Sequence, residues 1–389
     1  MKKKVSRREL LKAMVAVLGA GVVSGGHLRR EILIGRALEM NHTLFLPLLK
    51  KEHPYMPAPT GKVVHLYSPA ATSWDGTNHK FWNYVDQKVV DEMVDQGLMI
   101  LTSQSSVEDA WRVLLPDYQV GKAVAIKANF NNSTSCNDTD QQIDALIQPV
   151  NSIVRGLKSI GVIESDIWVY DAIRLIPNRF VLGCQYQNIR YFDNGCRNMA
   201  GFSSNTLVKF NPPPGVNIAP IRVTDVLVNA SYLINMPIMK GHGLTGATVS
   251  FKNHFGSINL PSELHEFVGL TRGGFRVDYS PFVDLYNSTH IGGKTILTIG
   301  DGLFAARYQW TSPQVWSTFG NQVPNSLFFA IDPVAADCVM FDFLDAEFDL
   351  PDASYDFLRL ADEAGLGIFE RGDPWGSGYS LIDYLKIVV

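Results

Sequence analysis

Cysteine is scarce in this 389-residue chain: there are four, Cys136, Cys184, Cys196 and Cys338, and no two stand at the spacing of a zinc or iron–sulfur centre. That excludes a disulfide-scaffolded miniature fold and leaves one or two bridges open in an oxidising compartment. Motifs are missing as well. There is no GxxxxGK[ST], no GxGxxG at a strand-to-helix junction, no HExxH and no GxSxG. The phosphate-loop, dinucleotide, zinc-protease and serine-hydrolase routes therefore lose their usual signatures. No internal repeat or low-complexity segment occurs, and beyond the first residues there is no basic run, so nothing electrostatic points to nucleic acid as a partner.

What is present is a hydrophobic content of 46% over a length that can bury a large core. The formal charge is −4, although the N-terminus holds Lys2, Lys3, Lys4, Arg7, Arg8 and Lys12 against Glu9 alone, so the body is more acidic than the whole. Ser6-Arg7-Arg8-Glu9-Leu10-Leu11-Lys12 followed by the apolar run Ala13 to Val23 has the layout of a twin-arginine export signal. Expected from it are the twin-arginine export machinery as a partner and a periplasmic or extracytoplasmic location. Val23-Ser24-Gly25-Gly26 only approximates a cleavage site, which leaves membrane attachment through an uncleaved signal open. The expected organisation is a signal segment at 1–26, a linker or arm at 27–60, and an α/β domain at 61–389 with a less regular insertion at about 177–220.

Within that domain, apolar runs alternate with helical periods. Strands are expected at Val63–Tyr67, Ala123–Ile126, Ile167–Tyr170, Tyr232–Asn235, Lys294–Ile299 and Leu327–Ile331, with shorter ones near Ile189–Phe192 and Thr206–Phe210. Helices are expected at Phe81–Leu98, Val107–Leu115, Ile143–Ile160, Thr224–Asn229, Val334–Phe348 and Tyr355–Ala364. Strand, helix, strand in succession predicts an α/β fold with a largely parallel or mixed central sheet and helices on both faces.

The stretch from Leu233 to Pro261, LINMPIMKGHGLTGATVSFKNHFGSINLP, organises the rest. It crowds Lys240, His242, Lys252, Asn253 and His254 among Gly241, Gly243, Gly246 and Gly256, a composition that reads as a site rather than core. Strands ending in Lys127 and Asn129, in Asp171, in Asp301 and in Asp332 would bring further polar residues to the same sheet edge, where ligands of open parallel sheets bind. Lys127, Lys240 and Lys252 would neutralise a small carboxylate or phosphate and Asn129 and Asn253 would orient it. His242 or His254 would transfer protons beside Asp301. His242, His254 and His265 with Asp301, Asp278 or Glu263 supply enough donors for a divalent metal, at no diagnostic spacing. Asp332 needs no more than a helix N-cap role.

The same stretch resembles the signature of the DUF362 family, in which a Lys precedes a His and a Lys-Asn and a Gly follow. VAIKANFN at Val124–Asn131, DGL at Asp301–Leu303 and IDPVAAD at Ile331–Asp337 are similar to further motifs of that family. The resemblance implies an α/β fold and a set of motif residues, not a reaction. Some relatives carry appended ferredoxin-like cysteine motifs; this chain has none, so a cluster of its own is not expected. The alternatives to an enzyme are a metal- or cofactor-binding redox accessory loaded before export and a non-catalytic solute-binding protein.

Overall fold

Two hydrophobic layers are fed by strands whose side chains alternate between them. On β1 (Lys62–Tyr67), Val64 and Leu66 enter one core and Val63 the other; on β2 (Val124–Lys127), Val124 and Ile126 enter the first and Ala125 the second. A two-residue period with both sets apolar is what a sheet covered on both faces demands. The computed structural model describes residues 61–78, 80–269 and 277–389; the signal expected at 1–26 and the arm expected at 27–60 lie outside the described residues.

The other strands follow in chain order: β3 (Ile167–Tyr170), β4 (Arg190–Asp193), β5 (Asn198–Met199), β6 (Phe202–Leu207), β7 (Arg222–Thr224), β8 (Tyr232–Asn235), β9 (Ile238–His242), β10 (Gly246–Thr248), β11 (Thr295–Ala306), β12 (Ser326–Ala330) and β13 (Asp383–Val388). Eleven of the described strands form one mixed sheet in the order β13-β1-β12-β11-β8-β2-β3-β4-β5, with β9 also on β11 and β10 on β9. The run from β11 through β8, β2, β3 and β4 to β5 is parallel, whereas β12 runs against both β1 and β11. From β2 the chain steps outward through β3, β4 and β5, then returns to lay β8 on the other side of β2. The winding therefore reverses beside β2, and the carboxyl ends of β2 and β8 flank the place where such sheets hold ligands.

Helices α1 (Gln87–Thr102), α2 (Val107–Leu114), α3 (Ile147–Ser159) and α4 (Asn178–Leu182) contribute to the first core. The second takes α5 (Asp225–Asn229), α6 (Ser250–Asn253), α7 (His265–Val268), α8 (Pro281–Tyr286), α9 (Pro333–Phe348) and α10 (Asp356–Glu363). In α9 every residue from Pro333 to Leu344 is buried, and its start is set as expected by Asp332, whose carboxylate accepts from the N–H groups of Val334 and Ala335 at 2.9 Å. The fold is thus α/β with helices on both faces.

Four local differences have identifiable causes. The single helix expected over Phe81–Leu98 is a 3₁₀ turn at Phe81–Tyr84 and then α1, because Asp86 breaks the run and caps α1 through the N–H groups of Lys88 and Val89. The helix expected from Ile143 starts at Ile147. The four residues before it are tied elsewhere, Ile143 N–H to Thr311 O (3.0 Å) and Ala145 N–H to Asn129 O (2.8 Å). In the middle region, β4 and β5 extend the main sheet in parallel, and β6 and β7 pair apart from it. Finally β11 runs on to Ala306, and β13, not anticipated, pairs with β1 across nearly the whole chain.

Close packing between the helices gives a direct test. A Cβ on Gly156 of α3 would lie 1.9 Å from Nε1 of the fully buried Trp111 on α2. The Gly156→Ala variant should lose about 1–3 kcal/mol of stability from overpacking, read as a lower urea midpoint together with altered tryptophan emission.

Candidate functional site

Register brings the first site residues together. Lys127, the last residue of β2, pairs with Tyr170 of β3 on one side and Asn235 of β8 on the other, so Lys127, Asn235 and the next residue after β3, Asp171, stand at one carboxyl edge. Lys127 is fully buried, and its ammonium donates to Asp171 Oδ2 (3.1 Å), Asn253 Oδ1 (3.2 Å) and the carbonyl of Ala128 (2.5 Å). Asp171 also accepts from the N–H groups of Phe130 and Ile173. Gly256 closes over this pair: a Cβ there would sit 2.6 Å from Nζ of Lys127 and 2.7 Å from Oδ1 of Asp171, so no larger residue fits without displacing one of them.

Asn253 is the hub. Its Oδ1 accepts from Lys127 and from Nδ2 of Asn129 (3.1 Å), while its Nδ2 donates to the carbonyl of Lys127 (3.2 Å) and to Asn235 Oδ1 (2.8 Å). Asn129 in turn accepts from Nζ of Lys240 at 3.0 Å, and Lys240 also donates to the carbonyl of Ile143 at 3.3 Å. The helix α6 that carries Lys252 and Asn253 is held from below by Asp337 of α9, which accepts from the N–H groups of Ser250 (2.8 Å) and Phe251 (3.2 Å) and from the Ser250 hydroxyl.

Above this network lies a cleft of about 40 Å³ lined by Asn129, Asn131, Arg174, His242, Thr248 and Lys252 among others. Lys252 reaches His265 Nε2 at 3.2 Å and lies 3.5 Å from the ring centroid of Phe255. Arg174 donates to Asn131 Oδ1 at 3.1 Å, and its buried Nε has no partner among the described residues; nor has the buried hydroxyl of Thr248. His242 accepts from the N–H of Leu244 at Nδ1 (3.0 Å), which leaves Nε2 as the N–H.

Burial decides the titration of these groups. It pulls Lys240 down to about 8 against the partial restoring effect of Asp144, whose own carboxyl burial pushes up to about 7. Lys127 is lowered by burial and held up by Asp171. Lys252 lies well below the ordinary lysine value, through burial and then the neighbouring Arg174 and Lys240. His242 is held neutral by burial and by the charge of Lys252.

The expected site residues thus divide. Asn129, His242, Lys252 and Asn253 line the cleft, and Lys127 and Lys240 stand directly behind its wall. His254 and Asp301 do not line it. His254 is fully buried against Tyr286 with Nδ1 3.3 Å from Ser257 Oγ, and burial takes it to about 3; Asp301, raised by burial to about 7, accepts from the N–H of Leu303. The expectation that the stretch is not core is corrected: Lys240, Asn253 and His254 are at most 1% exposed, with amides and carbonyls replacing water around Lys240 and Asn253 while His254 packs against Tyr286. Its Gly241-His242-Gly243-Leu244-Thr245-Gly246 does have dinucleotide-fingerprint spacing, but it runs from β9 through a turn into β10, with no helix to receive a phosphate. Among the described residues no group of three or more His, Cys, Asp or Glu side chains could hold a metal ion. Arg174, Thr248 and Asn131 line the cleft as well, as do Asp171, Ile173, Phe255 and Gly256. Arg174 and Thr248 gave no signal in the sequence, since a lone Arg after a strand and a Thr in a hairpin are ordinary loop residues.

A disulfide, Cys136–Cys196, braces the same region by joining the loop after β2, which carries Asn129 and Asn131, to the turn after β4. That turn is wound around Asp193, whose carboxylate accepts from the N–H groups of Gly195, Cys196, Arg197 and Ile176.

These features define an α/β protein with a cation-lined cleft at the switch point of a mixed sheet. The model of the family described as "Domain of unknown function (DUF362)" matches residues 124–342, and the chain belongs to that family. No curated protein matches the sequence. Among solved structures it is similar to a structural genomics crystal structure of a protein from Thermotoga maritima, with TM-score 0.37 and 11% identity over 72% of this chain; the chain spans 59% of that protein's length.

Breaking the ion pair at the base of the site should destabilise the fold. Asp171→Asn strands a buried ammonium and is expected to cost about 3–5 kcal/mol, and adding Lys127→Met should recover part of that loss in urea unfolding.

Proposed function

We propose that the cleft binds a small carboxylate or phosphate anion in an exported protein. The observation that carries this reading is the pair of cationic side chains, Arg174 and Lys252, facing one small cleft together with the Thr248 hydroxyl, unpartnered among the described residues, while Asp171, the carboxylate that also lines the cleft, is already engaged by Lys127. Lys240 adds a further positive charge behind the wall. An anion seated there would accept from Arg174 and Thr248 and would be oriented by the amides of Asn131 and Asn253. His242, with its Nε2 N–H, would serve as donor to it, a role open to a proton-transferring enzyme and to a solute-binding protein alike.

Export is supported by the arginine pair at Arg7 and Arg8 ahead of an apolar run, and the Cys136–Cys196 disulfide is compatible with an oxidising compartment. Among the described residues no helix is long and apolar enough to cross a membrane.

Calorimetric titration with phosphate and with small carboxylates should show binding to the wild type. Arg174→Gln should weaken it at least about tenfold with an unchanged melting temperature, as expected for loss of a charge-assisted contact. Because burial pulls Lys240 down to about 8, its charge is present below that pH and lost above it, so affinity should fall as pH rises from 7 to 9. Equal affinity for the variant, or affinity that rises with pH, removes this reading. Separately, replacing Arg7 and Arg8 together by Lys should leave the protein in the cytoplasm of its host, measured by cell fractionation.

A further inference from the structure

Lys252 differs from the other two buried lysines of the site. Lys127 and Lys240 donate to oxygen acceptors: a carboxylate, an amide and a carbonyl for the first, an amide and a carbonyl for the second. Lys252 lines the cleft itself, and the polar atom beside its Nζ is a nitrogen, Nε2 of His265. Among the described residues no carboxylate lies within ion-pairing distance of it. Among the described residues the titratable groups acting on it are Arg174, Lys240, His242 and His265, and none of these is acidic. The ring of Phe255 favours the ammonium, but a single ring face compensates for less than the hydration and counter-charge that burial among cations removes. An amine so placed is available as a nucleophile.

The geometry points to Lys252 as a nucleophilic amine that forms an iminium with the carbonyl carbon of a small oxo-acid, whose carboxylate Arg174 takes. This rests on the anion-binding reading above and names the ligand class. The cleft's volume of about 40 Å³ has room for roughly three waters, which suits an acid of a few heavy atoms. Nζ attacks the carbonyl carbon, forming the C–N bond while the C=O electron pair moves to oxygen. His265 Nε2 takes a proton from the attacking nitrogen and returns it to that oxygen, giving the carbinolamine. A second proton, entering through the half-buried His265, leaves with the hydroxyl as water when the C–O bond breaks, and C=N⁺ remains. No oxidant or reductant is consumed. An iminium withdraws electrons from the carbon on the far side of the carbonyl, so the reaction class is proton exchange or carbon–carbon bond making and breaking at that carbon.

The test is reductive trapping. The full chain is incubated with pyruvate and sodium cyanoborohydride, digested and mapped by mass spectrometry, while calorimetry follows binding of pyruvate and of lactate, which keeps the carboxylate and lacks the carbonyl. Expected are binding of both acids, a pyruvate-derived adduct at Lys252, none with lactate, and loss of the adduct in Lys252→Arg, with Lys252→Met as a second variant if the first unfolds. Binding of both acids without an adduct, or labelling spread evenly over exposed lysines such as Lys80, overturns the iminium and leaves the anion site standing. Failure of lactate, pyruvate and phosphate all to bind overturns the anion site and the iminium with it.

Discussion

An ammonium group removed from water must be surrounded by acceptors, and the carboxyl edge of the sheet is built around satisfying that demand at Lys127. Its stem lies on a central strand between two neighbours, so its head can emerge only at the strand end. There Asp171, the Ala128 carbonyl and the Asn253 amide meet it. Asn253 uses all four of its hydrogen-bonding capacities, two accepting and two donating, which leaves its amide a single orientation. Through Asn129 the same constraint passes to Lys240. Gly256 is dictated by it too, since any side chain there would occupy the space of the Lys127 head.

Packing then holds this polar assembly in place from two sides. From the second core, α9 presents Asp337 to the first two N–H groups of α6, fixing the helix that carries Lys252 and Asn253 although α6 is a single turn with no side-chain cap of its own. From the sheet's other wing, the Cys136–Cys196 bridge and the turn around Asp193 tie the loop of Asn129 and Asn131 to β4. Cross-linking across a separation of 60 residues removes chain entropy from the unfolded state worth about 4 kcal/mol in the loop-closure model. A loop rich in Asn and Ser and poor in apolar anchors is the kind of segment that gains most from it.

Most of the sheet was legible because its strands are short and apolar on both faces, and β2, β3 and β8 fall within a residue of where the pattern places them. The strand ends were legible for the same reason: Lys127 and Asp171 follow apolar runs, and an open parallel sheet sends such residues to one edge. The pairing of β13 with β1 was not, since it joins the two ends of the domain and local periodicity carries no information about long-range partners. Nor was the burial of the Lys- and His-rich stretch. Composition marks such a run as polar, whereas its environment depends on partners such as Asn129, Asn235 and Asp337 that arrive from distant segments. His254 shows the limit most clearly. Adjacent in sequence to Asn253, it packs against Tyr286 instead of lining the cleft, because successive residues of a helical turn send their side chains in different directions.

The three lysines therefore divide by what surrounds the nitrogen rather than by depth, since all three are buried. Where carboxylate, carbonyl or amide oxygens converge, as at Lys127 and Lys240, the ammonium has oxygen acceptors to donate to and the residue acts as a fixed strut for the amides that line the cleft. Where the neighbours are an arginine, a second lysine and imidazoles, as at Lys252, the charge is uncompensated. Only two things can relieve it, loss of a proton or arrival of an anion. The same arrangement thus accounts for both a depressed lysine pKa and an affinity for anions. An acidic residue at position 174 would quench both at once, which is why the cation there, unremarkable in the sequence, does as much to define the site as the family-motif lysines.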